Sequence, residues 1–121
     1  MLDYELDAFG KRLGLPALAL NENGLAVIAM DGIGTLTLQK GEGGAEDMLL
    51  VALASPVDPT ESAARYRAAL ERSNWRTALP QPLSVALFRD RLIRTVRLPE
   101  AAVTAAGLEN VLRFLMDESA R

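Results

Sequence analysis

Residues Leu25 to Leu53 constrain the fold of this chain more than any other stretch. Three apolar runs stand there: Leu25-Ala-Val-Ile-Ala-Met30, Thr35-Leu-Thr-Leu38 and Met48-Leu-Leu-Val-Ala-Leu53. Asp31-Gly-Ile-Gly34 separates the first two, and Lys40-Gly-Glu-Gly-Gly44 the next two. Short β-rich runs punctuated by glycine read as an antiparallel meander. The first and third runs are apolar at both parities, so both faces of those strands favour leaving water. In the middle run Leu36 and Leu38 share one face while Thr35 and Thr37 share the other, which marks one half-exposed face. Cover for the surplus apolar surface comes either from the chain's own helices or from a second polypeptide, and the pattern leaves both open.

The chain has 121 residues, the size of one domain spanning 1–121, long enough for a core but small enough to be marginal alone. Half of the residues are hydrophobic but only 5% are aromatic, so the core must be aliphatic and alanine-filled. A net charge of −3 argues against general nucleic-acid binding and against anionic membrane surfaces. The charge is uneven: residues 1–60 carry nine acids and three bases, residues 61–121 seven acids and ten bases. The two halves therefore attract each other, within one molecule or between copies. Cysteine and histidine are both absent, which removes disulfides, thiolate chemistry, the commonest general base and the commonest zinc ligand. Met1-Leu-Asp-Tyr-Glu5 has neither a basic nor an apolar leader segment, and no apolar run approaches the roughly 20 residues of a membrane span. The expected setting is the cytoplasm.

Around the meander, Leu2, Leu6, Phe9 and Leu13 line one helical face over about residues 3–13, with acids leading and bases trailing. Gly14 offers a left-handed cap and Pro16 prevents resumption. After the meander, Asp58, Pro59 and Glu61 have the spacing of a capping box, which predicts a second helix to about Ser73. Its apolar face is thin, with Tyr66 and Leu70 helped by Ala63 and Ala64. Asn74-Trp75 closes it, and Leu79-Pro-Gln-Pro82 is a stiff connector. Leu83–Phe88 and Leu92–Leu98 predict two more strands joined by a turn at Arg89-Asp-Arg91, and Pro99 stops the ladder. In the last strand Leu92, Arg94, Val96 and Leu98 share a face. Thr104 is the expected N-cap of a final helix with Leu108, Val111, Leu112 and Leu115 at helical spacing. The order is α-β-β-β-α-β-β-α: an α+β fold with a mainly antiparallel twisted sheet and helices packed on it.

Each candidate site has a plain structural alternative. Glu46-Asp47 beside a glycine loop reads better as solvated hairpin acids than as a metal site. Gly32-Ile-Gly34 and Gly41-Glu-Gly-Gly44 precede strands rather than helix N-termini, so they read as turns and not as phosphate cradles. Arg89, Arg91, Arg94 and Arg97 are split by strand parity and lack stacking aromatics, which favours a solvated or acid-contacting face over nucleic acid. Trp75 and Tyr66 are either partner anchors or core.

Phe9-Gly-Lys-Arg-Leu-Gly-Leu-Pro16, then Leu18-Ala-Leu-Asn-Glu-Asn-Gly24 and the strand ending Met30-Asp-Gly32 are similar to the helix-1, turn and first-strand signature of the class I type III secretion chaperones, the Tir-chaperone family. Arg97-Leu-Pro99 leading into an aliphatic last helix fits the same pattern, and the resemblance spans essentially the whole chain. It implies a bacterial cytoplasmic homodimer that is not an enzyme, needs no cofactor or metal, and holds the N-terminal segment of a secreted effector in extended form. It further implies effector contacts at Phe9, Leu13, Val27, Ala29, Leu36 and Leu38, and a dimer interface at Tyr66, Leu70, Trp75, Val85 and Leu87. Strand addition to a sheet edge, with side-chain pockets for selectivity, suits that task. One departure is Arg89-Asp-Arg91, which lacks the glycine often found in that turn. The alternative function is a regulatory or assembly-factor domain of the same fold without a secretion role; a small enzyme ranks last.

Overall fold

The computed structural model describes residues 2–43, 46–74, 79 and 82–121. The elements are α1 (Leu2–Arg12), β1 (Leu25–Met30), β2 (Gly34–Gly43), β3 (Glu46–Pro56), α2 (Ser62–Arg72), β4 (Ser84–Phe88), β5 (Arg91–Pro99), one 3-10 turn at Glu100–Ala102, and α3 (Ala105–Ser119). All strand pairings are antiparallel, and the five strands lie in the order β1-β2-β3-β5-β4. The α+β order expected from the sequence is the one observed. Trp75, and Pro80 and Gln81 of the expected connector, lie outside the described residues.

The helix ends follow local chemistry with one exception. Gly14 takes the left-handed conformation at φ +78 just past α1, and the Leu15 N–H returns to the Gly10 carbonyl at 2.7 Å. Gly10 itself has no room for a side chain, since a Cβ would fall 2.8 Å from the Leu15 carbonyl oxygen. Thr104 caps α3, its hydroxyl accepting from Gly107 N–H at 3.0 Å. The Glu5 carboxylate reaches across from α1 and accepts from Ala105 N–H at 2.8 Å, which ties the two helices together at an end that favours negative charge. The exception is α2. The capping box does not form: the helix begins at Ser62, with Glu61 as N-cap and no side-chain cap bond. Asp58 instead folds an Asx turn, accepting from the backbone N–H and the hydroxyl of Thr60 at 2.9 and 2.8 Å. Those two bonds, the backbone one larger, hold its carboxyl below the usual range. The short side chain is satisfied two residues on, so the helix starts later than the spacing implied.

The meander is longer than its apolar runs. Lys40 to Gly43 continue the ladder opposite Leu49 to Glu46, because backbone pairing does not require apolar side chains. At its other end Gly34 has φ +148, and a Cβ there would overlap the Ala54 carbonyl oxygen. Only glycine lets β2 enter this close to β3.

The core lies on one side of the sheet. Leu6 and Phe9 of α1 and Leu108, Val111, Leu112 and Leu115 of α3 pack on Leu36, Leu38, Leu49, Val51, Leu53 and Val96. The register places those strand residues on a common face. Packing α2 over β4 and β5 puts it on the same side, where Arg72 Nε donates to the buried Glu118 of α3 at 3.0 Å. Among the described residues the chain's own helices therefore cover one face of the sheet and not both. Among the described residues no helix lies on the other face, where Val27, Ala29, Thr35, Thr37, Leu50, Ala52, Ile93, Thr95 and Phe88 look outward.

Candidate functional site

Both edges of the sheet, β1 and β4, lack a further strand among the described residues. The β1 edge is the better organised. Lys40 N–H donates to the Gly24 carbonyl at 2.9 Å, and the register then pairs Leu25 with Gln39 and Ala26 with Leu38. Antiparallel pairs alternate between bonded and non-bonded. Ala26 and Ile28 thus bond to β2, while Leu25, Val27 and Ala29 turn their backbone groups to the open edge. Leu25 is already satisfied there. Its carbonyl accepts from Asn21 N–H at 2.9 Å, and its N–H donates to Asn21 Oδ1 at 3.1 Å. Val27 and Ala29 are left with outward N–H and C=O groups beside side chains that are themselves exposed.

The α1–β1 loop runs alongside that edge without closing on it. A groove of about 440 Å³ separates Leu15, Pro16 and Leu18 from Ala26, Val27 and Ala29. It continues into a hollow of about 240 Å³ bounded by Leu13, Ile28, Met30 and Ile33. Aliphatic walls next to unpaired strand backbone can take an extended polypeptide: the backbone supplies hydrogen bonds, and the walls take alternate side chains.

The expected contact residues divide between two environments. Val27 is 59% exposed and Ala29 is exposed, both at the open edge, and Leu13 is half-buried at the end of α1. Phe9, Leu36 and Leu38 are instead fully enclosed beneath the helices. They support the site from inside, where a partner would reach them only by opening the core. The expected interface residues lie at the other end of the sheet. Leu70 is exposed and Tyr66 half-exposed one turn apart on α2, while Val85 and Leu87 are half-buried on the β4 face that α2 covers. Residues that the sequence did not single out are Leu15 and Leu18 of the groove at the β1 edge, whose loop position concealed them, and, at the β4 end, Phe88, 61% exposed on the uncovered face. The Arg89 guanidinium stands 5.3 Å from the Phe88 ring centroid, with Arg89 at φ +56 in the hairpin position where glycine would be unstrained. Among the described residues no group of acids is arranged to hold a metal ion, and no helix is long and apolar enough to cross a membrane.

The model of the Tir chaperone protein (CesT) family matches residues 5–121. The chain belongs to this family. No curated protein matches it significantly in sequence. Among solved structures it is similar to the type III secretion chaperone SycH of Yersinia pestis, solved with a stable fragment of YscM2, at TM-score 0.73 and 21% identity, covering 99% of this chain and 98% of that one. It is also similar to a chain of the ExsC–ExsE complex, at TM-score 0.68 and 20% identity over 98% and 87% of the two chains. A third likeness is to a chain of the ExoU–SpcU type III secretion complex of Pseudomonas aeruginosa, at TM-score 0.63 and 16% identity over 96% and 93%. At these identities the structures establish a shared fold.

Proposed function

We propose that this member of the Tir chaperone family is a non-catalytic cytoplasmic chaperone of a type III secretion system. It binds the N-terminal segment of a secreted effector in extended form and keeps it soluble and competent for secretion. The observation that carries the reading is the β1 edge, where the outward backbone groups of Val27 and Ala29 stand beside the aliphatic groove. An effector strand added there gains main-chain hydrogen bonds and covers Val27, Ala29 and Leu13. An unfolded client loses ordering entropy on binding, so a contact confined to one strand is too small, and the uncovered sheet face offers further apolar area. Family membership, and likenesses solved as chaperone complexes, support this reading over a regulatory domain without a secretion role.

The same reading makes the chain a homodimer, joined through Tyr66 and Leu70 of α2 with Val85 and Leu87 holding that helix from beneath. Leu70→Asp should yield a folded monomer by light scattering; an unchanged mass, or a parent that is itself monomeric at micromolar concentration, would count against that interface. The effector reading is tested by co-expression with the product of the neighbouring gene. The expected result is co-purification of its N-terminal segment, with slowed amide exchange at Val27 and Ala29. Co-purification with unchanged exchange at β1 would move the client elsewhere on the molecule, and absence of any secreted protein in the complex would remove the chaperone reading itself.

A further inference from the structure

A separate cavity of about 320 Å³ lies between α2, α3 and β5. Ala64 and Ala68 of α2 and Leu83 before β4 form apolar walls. Among the described residues, Arg65, Arg72, Arg94 and Arg121 face it, with Glu61 and Glu118 as the acids. Two of these arginines are engaged: Arg72 Nε and Arg121 Nε each lie 3.0 Å from a carboxylate oxygen of Glu118. Arg94 is different. It rises from β5 into the cavity, is only 5% exposed, and among the described residues its guanidinium has no hydrogen-bond or ion-pair partner. Burial lowers its hold on the proton; Glu118 opposes that effect and Arg65 adds to it. An arginine nevertheless stays charged in a protein. Its guanidinium therefore faces the cavity with no protein acceptor among the described residues; the one carboxylate that attracts it, Glu118, is already shared by Arg72 and Arg121, and Arg65 adds like charge.

We propose that this cavity is a carboxylate-binding pocket, in which Arg94 flanked by Arg65 receives the Asp or Glu side chain of a docking polypeptide. The planar guanidinium matches a carboxylate in a two-point contact. The alanine and leucine walls suit small apolar neighbours of that acid rather than a hydrated inorganic ion. The pocket is distinct from the β1 groove and rests on the reading above only in that the partner is a polypeptide.

The test uses the full chain and small probes, so its outcome is independent of any effector. The Arg Nε–Hε signals are followed by NMR at constant ionic strength during titration with N-acetylglutamate N-methylamide, its glutamine counterpart and sodium phosphate. The glutamate probe should shift the Arg94 signal saturably and the glutamine probe should not. Arg94→Met should leave the melting temperature unchanged or raised while weakening the glutamate probe about tenfold or more. Arg65→Gln, at an exposed position, should weaken it without altering the fold. Equal shifts with the glutamate and glutamine probes, or binding of phosphate alone, would overturn the proposal. So would an Arg94→Met variant that melts earlier yet binds the probe normally, because Arg94 would then be structural. A change from dimer to monomer in that variant with no probe binding in the parent would assign the pocket to a second copy of this chain instead.

Discussion

Replacing Val27 and Leu36 separately by aspartate distinguishes the exposed edge from the core, since the two residues occupy neighbouring strands but opposite faces of the sheet. Val27 is 59% exposed and Leu36 is fully buried. Complete burial of such a side chain stabilises by about 1.5–3 kcal/mol, so Val27, with less than half its surface covered, gives up about 1 kcal/mol. The poor strand preference of aspartate adds up to about 1 kcal/mol more. At Leu36 the lost packing and the cavity cost about 2–5 kcal/mol, and a carboxylate enclosed without a partner costs several kcal/mol beyond that. That total approaches the whole stability of an ordinary domain, about 5–15 kcal/mol. Urea unfolding followed by far-UV circular dichroism should therefore show a cooperative transition for Val27→Asp, shifted by about 1–2 kcal/mol. Leu36→Asp should show no folded baseline. The effector segment should be retained by the parent and lost by the folded Val27→Asp variant in a co-purification assay. A Leu36→Asp chain that unfolds cooperatively near the parent's midpoint, or a Val27→Asp chain that does not fold, would mean that the covered and uncovered faces are reversed.

Other perturbations probe single contacts. Gly34→Ala forces a Cβ onto the Ala54 carbonyl at a left-handed φ and should lower stability by at least about 2 kcal/mol by urea midpoint. Thr104→Ala removes the α3 cap and should cost about 1 kcal/mol, with Glu5→Gln weakening the same helix end through Ala105. Burial tends to raise the Glu118 pKa, but the bonds from Arg72 and Arg121 win and leave it lowered from 4.5. A carboxylate depressed in the folded state contributes stability that is present above its unfolded value and is lost as pH falls through the folded one. Glu118→Gln should therefore cost about 1–3 kcal/mol at pH 7, less than a fully enclosed pair because both arginines are partly exposed. In parallel pH-dependent melts the gap between parent and variant should begin to narrow below about pH 4.5 and close as pH falls through the depressed folded value. A gap that stays constant as pH falls below 4.5, with no narrowing, would locate the effect in shape rather than charge.

Much of this fold is written in local patterns. The spacing of Leu6 and Phe9, the cap at Thr104, the stripe from Leu108 to Leu115 and the parity of Leu36 and Leu38 are each consequences of helix or strand geometry over a few residues. They emerge in place. Strand parity also sets Val27 and Ala29 on the face opposite Ala26 and Ile28, but with both parities apolar it does not say which of the two faces is exposed. Local chemistry misleads at Asp58, where an Asx turn competes with the helix cap and wins. What periodicity cannot express is which side of a doubly apolar sheet the helices choose. Only the tertiary arrangement sets α1, α2 and α3 on one face, leaving Phe9, Leu36 and Leu38 enclosed and Val27 in the open. Likewise the strand order β1-β2-β3-β5-β4 puts β1 at an edge, and the same packing brings Arg65, Arg94 and Glu118 from α2, β5 and α3 around one cavity. These features depend on contacts between residues dozens of positions apart, which no short-range spacing encodes.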